Sequence, residues 1–173
     1  KKFRLYSRAP IFELSHTEPF GVGSVDIMKD TLYHCWYTAF TSWGTSKKIK
    51  HKYKIKYAYS IDGKKWRRRT GDCIDFEKGE YAICRPSVIY YNKMYHMVFC
   101  VRGSKYKLGY AYSHDKRNWE RNDSLLQITN TPGTFDSKEM CYPHWFLHKN
   151  FLYLIYCGND YGNEGIGIAR LKL

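Results

Sequence analysis

Apolar and polar positions along this chain alternate in short runs, and three stretches share one form. They are VDIMKDTLYHCWY from Val25 to Tyr37, SVIYYNKMYHMVF from Ser87 to Phe99, and WFLHKNFLYLIYC from Trp145 to Cys157. Each pairs two runs of apolar, aromatic or β-branched residues across a short polar turn, at Lys29-Asp30, Asn92-Lys93 and Lys149-Asn150. That pattern predicts three β-hairpins. A second hairpin follows the first two. KIKYAYSIDGKKW, Lys54 to Trp66, returns as KLGYAYSHDKRNW, Lys107 to Trp119, with Lys, Tyr-Ala-Tyr-Ser, Asp and Trp kept at an offset of 53 residues. Its turn falls at Ser60 to Lys64, where a short polar side chain can bond back to the backbone and Gly63 can take a positive φ.

Two hairpins per unit, repeated every 50–60 residues or so, predict an all-β fold built of propeller blades, each of four antiparallel strands. The chain supplies about three of them, over approximate units 10–72, 73–127 and 128–173. An all-β sandwich is the rival architecture. The third unit runs out after a third strand, IGIARLKL from Ile166, while KKFRLYS at residues 1–7 could supply a fourth. An open arc leaves strand edges and blade faces bare. Closure can come from further blades in a longer protein, from self-association, or from that N-terminal strand.

Ser60, Asp62 and Trp66 return as Ser113, Asp115 and Trp119. An aspartate beside a tryptophan suits a sugar, but repetition in two units favours structure: an aspartate that fixes the turn and a tryptophan packed between sheets.

With 43% hydrophobic and 18% aromatic residues, the chain can bury a real core. No run approaches the ~18 apolar residues of a membrane-spanning helix, and KKFRLYSRAP lacks the apolar stretch of a signal peptide. The six cysteines include no close pair of the zinc or redox kind, so neither a metal nor a cofactor is expected. Cys35, Cys100 and Cys157 lie in or beside apolar runs as small hydrophobes, which predicts reduced thiols and a cytoplasmic protein. The net charge of +13 favours an anionic partner. Much of it sits in Lys47–Lys56 and Lys64–Arg69, runs expected to be solvated loop and edge-strand residues.

In a blade of two successive hairpins, the start of strand one and the end of strand two share one face. On that open face the order of hairpins gathers Glu80, Arg85, Arg102, Asp136, Glu139, Tyr142, His144, Asn159, Asp160, Tyr161 and Glu164. Carboxylates and amides bind vicinal hydroxyls, aromatic rings stack on pyranose rings, and arginines hold a carboxylate or phosphate in a forked contact. The expected binding residues are Arg85, Arg102, Tyr142, His144, Asn159, Asp160 and Tyr161; the carboxyl candidates for catalysis are Glu80, Glu139 and Asp136.

The stretches RPSVI, KLGYAYS, FDSKEMCYPHWF and YCGNDYGNEGIGIA resemble the C-terminal portion of glycosidase-like five-bladed propeller proteins, related to the arabinanase, levansucrase and invertase clan. The resemblance implies five blades and a carbohydrate ligand, with bacterial polysaccharide or oligosaccharide as the substrate class. It also implies that catalytic carboxylates stand at inner-strand starts on the first three blades. The matching starts here are Arg85-Pro86 and Tyr142-Pro143, where the clan's catalytic blades carry Asp-Pro, a departure that counts against hydrolysis. Three functions follow: a glycoside hydrolase-like enzyme, a non-catalytic glycan-binding propeller of polysaccharide assembly, and a basic nucleic-acid binder. The last is the weakest, since no RNA-binding motif is present.

Overall fold

A computed structural model describes residues 1–44 and 50–173 of the protein. Three antiparallel units stand in chain order. Blade 1 holds β1 (Gly21–Lys29), β2 (Tyr33–Ser42), β3 (Lys52–Ser60) and β4 (Arg67–Arg68). Blade 2 holds β5 (Ala82–Tyr91), β6 (Met94–Arg102), β7 (Tyr106–Ser113) and β8 (Glu120–Arg121). Blade 3 holds β9 (Cys141–His148), β10 (Phe151–Cys157) and β11 (Ile166–Lys172). A single parallel bridge, Tyr53 to Ala82, links β3 to β5. The fold is a partial β-propeller whose sheets do not close into a ring.

The predicted hairpins form for the expected reasons. Asn92 and Lys93 join β5 to β6 with φ of 48° and 61°, the positive pair that matches the twist of flanking strands. In the repeated turn, Ser60 Oγ accepts the amides of Asp62 and Gly63, and Asp62 Oδ1 accepts those of Lys64 and Lys65. Ser113 and Asp115 make the same bonds to Asp115, Lys116, Arg117 and Asn118. Gly63 has φ 71° there, and Lys116 takes φ 72° at the matching place. Of the two tryptophans that follow, Trp119 packs across blades, meeting Trp36 of blade 1 edge-on at 5.9 Å.

Period-two alternation supplies two separate interblade cores. On β6, Met97, Phe99 and Val101 face blade 1 with Trp36, Ile55 and Tyr57, while Val98 faces blade 3 with Trp145, Leu154 and Tyr156. The outer face of blade 1 is covered by the N-terminal segment, whose Phe12 lies 5.0 Å from Tyr37 and 5.5 Å from Trp66. The outer face of blade 3 leaves Phe146 and Ile168 exposed.

Two expectations need correction. Residues 1–7 form no strand, so they do not complete blade 3, and they lie exposed or half-buried ahead of the Phe12 contact. In the second basic run Lys64, Lys65, Arg67 and Arg69 are exposed on a turn and an edge strand as expected, but the first run is less solvated than its composition suggests. Lys54 pairs with Asp72 and Asp75, Arg68 pairs with Glu18 at 2.7 Å, and buried Lys56 lies 3.5 Å from the same glutamate. These lysines sit inside the sheet on β3, which is no edge strand. Lys47–Ile49, part of the same run, lie outside the described residues.

Candidate functional site

Each inner strand bulges near the open end of its blade. The ladders skip between Gly23 and Asp26 on β1, between Cys84 and Ser87 on β5, and at Cys141–His144 on β9. The residue after the break is left-handed each time: Ser24 at φ 48°, Arg85 at 54° and Tyr142 at 51°. Such a conformation is costly for a residue with a Cβ and persists only when its surroundings fix it. On blades 2 and 3 the preceding blade does so. The Arg85 amide donates to Thr38 Oγ1 at 3.3 Å, and the Tyr142 amide to Cys100 Sγ at 2.8 Å, from equivalent places on β2 and β6. Pro86 and Pro143 follow at positions that need no ladder donor.

The bulges lead into an aromatic wall. Tyr53 and Tyr106 stand at the starts of β3 and β7 with their hydroxyls 2.9 Å apart. From Tyr53 the wall runs through Phe40 at 5.1 Å and Trp43 at a further 5.8 Å, with His51 stacked on Trp43 at 4.1 Å. From Tyr106 it runs to Tyr161 at 5.5 Å and Tyr142 at 6.2 Å. Trp43 and Tyr161 remain 50% and 48% exposed, so both ends of the wall are open to a ligand. Burial pushes the Tyr142 phenol up to about 12, and burial with the Tyr53 hydrogen bond raises Tyr106 as well, so these hydroxyls stay neutral donors near pH 7.

Cations rest on these rings. Arg85 lies over Tyr142 at 4.7 Å, Arg102 over Tyr106 at 5.1 Å, and Lys50 over Tyr81 at 4.4 Å. Among the described residues none of the three has a carboxylate within 4.0 Å. Both guanidinium groups thus lie over tyrosine rings without an acid partner, and Arg102 also reaches the Tyr53 hydroxyl.

The carboxyl groups behave otherwise. Glu80 is gripped by both terminal guanidinium nitrogens of Arg121 at 2.7 and 2.8 Å, with Lys107 at 3.0 Å. Burial alone would raise its carboxyl, but the bonds from Arg121, the Glu77 amide and Lys107 prevail and hold it down at about 2. That grip is a repeated tether: Glu18 pairs with Arg68 as Glu80 pairs with Arg121. Asp136 is sealed in, accepting the hydroxyls of Tyr156 at 2.7 Å and Thr134 at 2.6 Å. Asn159 is buried and accepts the amides of Lys138 and Glu139, while its own amide holds Glu164. These three, expected on the open face, have their side-chain donors and acceptors engaged by other residues of the chain.

Glu139 accepts the amides of Asp160 at 2.9 Å and Tyr106 at 3.2 Å, which fixes the Tyr161 turn against the wall. Asp160 is exposed on that turn at φ 50°. His144, on β9, reaches the neighbouring blades, with Nδ1 3.2 Å from Ser87 Oγ on β5 and its charge bearing on Asp26 of β1. All six cysteines are free; Cys84 faces Cys100 and Cys141 faces Cys157 across their ladders, and burial pushes the Cys141 thiol up to about 12. The one group of three carboxylates close enough for a metal among the described residues, Glu77, Glu80 and Asp123, is already paired with Lys107 and Arg121.

Of the expected site residues, the structure thus assembles Arg85, Arg102, Tyr142 and Tyr161, backed by Glu139. Sequence reasoning missed Lys50, His51, Tyr53, Tyr81 and Tyr106, and left Trp43 unassigned. One signal was present: Tyr53 and Tyr106 stand directly before the two repeat copies, at the same offset of 53.

No family model matches the chain. Two curated relatives, uncharacterized proteins from two strains of Mycobacterium tuberculosis, are each 32% identical over 173 residues, 98% of this chain and 57% of theirs. The chain thus spans little more than half the length of the curated relatives it matches. Among solved structures it is similar to a glycoside hydrolase, with TM-score 0.73 and 19% identity over 95% of this chain and 51% of that one. A family 117 glycoside hydrolase of the marine bacterium Zobellia galactanivorans gives 0.70 and 20% over 96% and 57%. A sucrose-6-phosphate hydrolase of Lactobacillus gasseri gives 0.67 and 13% over 85% and 30%. The chain has the fold of the glycosidase-type β-propellers.

Proposed function

We propose that the open face of this chain binds a carbohydrate, a bacterial oligosaccharide or polysaccharide, and contributes recognition rather than bond cleavage. The observation that carries this is the aromatic wall from Trp43 to Tyr161, half-exposed at both ends and bordered by Arg85, Arg102 and Lys50, cations with no carboxylate partner among the described residues. Apolar ring faces suit the C–H faces of pyranoses, and the donors suit their hydroxyls. Glycoside hydrolysis needs a proton-donating carboxylic acid and a second carboxylate. Glu80 is held ionised by Arg121, and Asp136 is enclosed, so neither is free for that work.

Calorimetric titration against a panel of oligosaccharides tests the reading. Binding is expected, weakened about tenfold or more by Trp43→Ala or Tyr161→Ala, with no reducing sugar released by this chain or by its Glu139→Gln variant. Absence of binding across the panel would sink the glycan reading. Turnover abolished by Glu139→Gln would replace recognition with catalysis.

A further inference from the structure

We infer that the saccharide taken by this face is acidic, carrying a carboxylate or phosphate that Arg85 and Arg102 receive. This rests on the glycan reading of the same face and adds the charge of the ligand. The blade architecture itself does not require either arginine. Arg85 shares its bulge position with Ser24 and Tyr142, and the same left-handed turn forms with each. Arg102 stands opposite Ala82 as Phe40 stands opposite Gly21, so the end of the second strand accepts an apolar ring as readily as a cation.

Six other basic side chains of these blades meet acid partners. Lys54, Lys56, Arg68, Lys107, Lys116 and Arg121 each have at least one carboxylate within 4.0 Å. Arg85 and Arg102 instead lie over Tyr142 and Tyr106, rings whose centroids are 6.2 Å apart. Stacking uses the face of a guanidinium and leaves its N–H edge available, the edge that matches a carboxylate or phosphate in a forked contact. Stacking also pre-orders the two side chains, so less rotamer freedom is lost on binding. A net charge of +13 draws an anion toward them from a distance.

The test titrates the full chain with three oligosaccharides of equal length: one neutral, one containing glucuronate and one phosphorylated. Inorganic phosphate and free glucuronate are run beside them, all at fixed salt. At least one acidic oligosaccharide is expected to bind about tenfold or more tighter than the neutral one, the size of one charge-assisted contact. Whichever acid binds tighter names the anion. Arg85→Gln and Arg102→Gln should each close the gap between acidic and neutral ligands, and Arg85→Lys should restore it only in part, because an ammonium keeps the charge and loses the fork. Near-UV circular dichroism confirms that each variant is folded. A gap that closes in either folded arginine variant supports the inference, and a gap that survives in both overturns it. Equal binding of neutral and acidic saccharides by the unaltered chain also overturns it and leaves the glycan reading intact. Binding of phosphate or glucuronate with no saccharide bound overturns both.

Discussion

The two ends of the blades treat repetition in opposite ways. At the turn end, Ser60-Asp62-Trp66 and Ser113-Asp115-Trp119 agree in sequence, and the serine and aspartate oxygens accept the same backbone amides in both. At the open end the backbone repeats, but the side chains do not: the three left-handed bulges carry Ser24, Arg85 and Tyr142. Identical chemistry on identical backbone means that the fold needs both. Divergent chemistry on identical backbone means that the fold needs only the backbone, and the side chain is free to serve something else.

The sharpest way to break this comparison is at the Glu80–Arg121 tether, which assigns Glu80 to the frame. Removing one partner of a buried, hydrogen-bonded pair leaves Glu80 with only the half-exposed Lys107 beside it, so Arg121→Met should cost about 2–4 kcal/mol in denaturant unfolding, somewhat less than a pair with no second cation. The double variant Glu80→Gln/Arg121→Met should recover part of that loss. The same pair sets an acid response. The Glu80 carboxyl falls from its ordinary 4.5 to about 2 in the folded state, so its stabilisation is fully present above pH ~4.5. It is lost as the pH falls through the window down to about 2, because the unfolded chain takes up that proton first. An acid-unfolding curve with no change of slope in that window for Glu80→Gln would return this residue to the catalytic candidates.

The turn end gives a smaller effect. Asp115 accepts two backbone amides and one side-chain amide, of Asn118, and Asp115→Ala leaves those donors to water at the surface. A loss of about 1–2 kcal/mol is expected from thermal or denaturant melts, with glycan binding unaltered. Altered binding together with intact stability would move this turn from frame to site.

Hairpins, units and the structural standing of the Ser-Asp-Trp turns were legible in the sequence, because strand alternation and turn chemistry are local. The site was half legible. Chain order correctly brings Arg85, Arg102, Tyr142 and Tyr161 to the open end, since an end is a property of strand direction. It does not say which way a side chain turns once there. Glu80 turns to Arg121, 41 residues on, and Asn159 turns inward to the amides at Lys138 and Glu139, both decided by tertiary contacts. Residues 1–7 misled for a related reason: an apolar-polar run has strand character, but the segment that follows is held on blade 1 by Phe12, while the open edge of β11 belongs to blade 3.

The smallest expected effect is the most discriminating. If Arg85 serves the ligand and not the bulge, then replacing it should leave stability nearly alone. Arg85→Asn is the right probe, because asparagine tolerates the left-handed region better than most residues with a Cβ and so keeps φ near 54° without new strain. The Thr38 bond is made by the backbone amide and survives the change. What is lost is the stack on Tyr142, worth about 0.5–1 kcal/mol at an exposed site and offset in part by easier backbone geometry. A net shift within about 0.5 kcal/mol is expected in denaturant unfolding, alongside loss of the preference for acidic saccharides. A cost of about 2 kcal/mol or more would show that the arginine is part of the frame after all, and the contrast between the two ends of the blades would collapse at the residue on which it most depends.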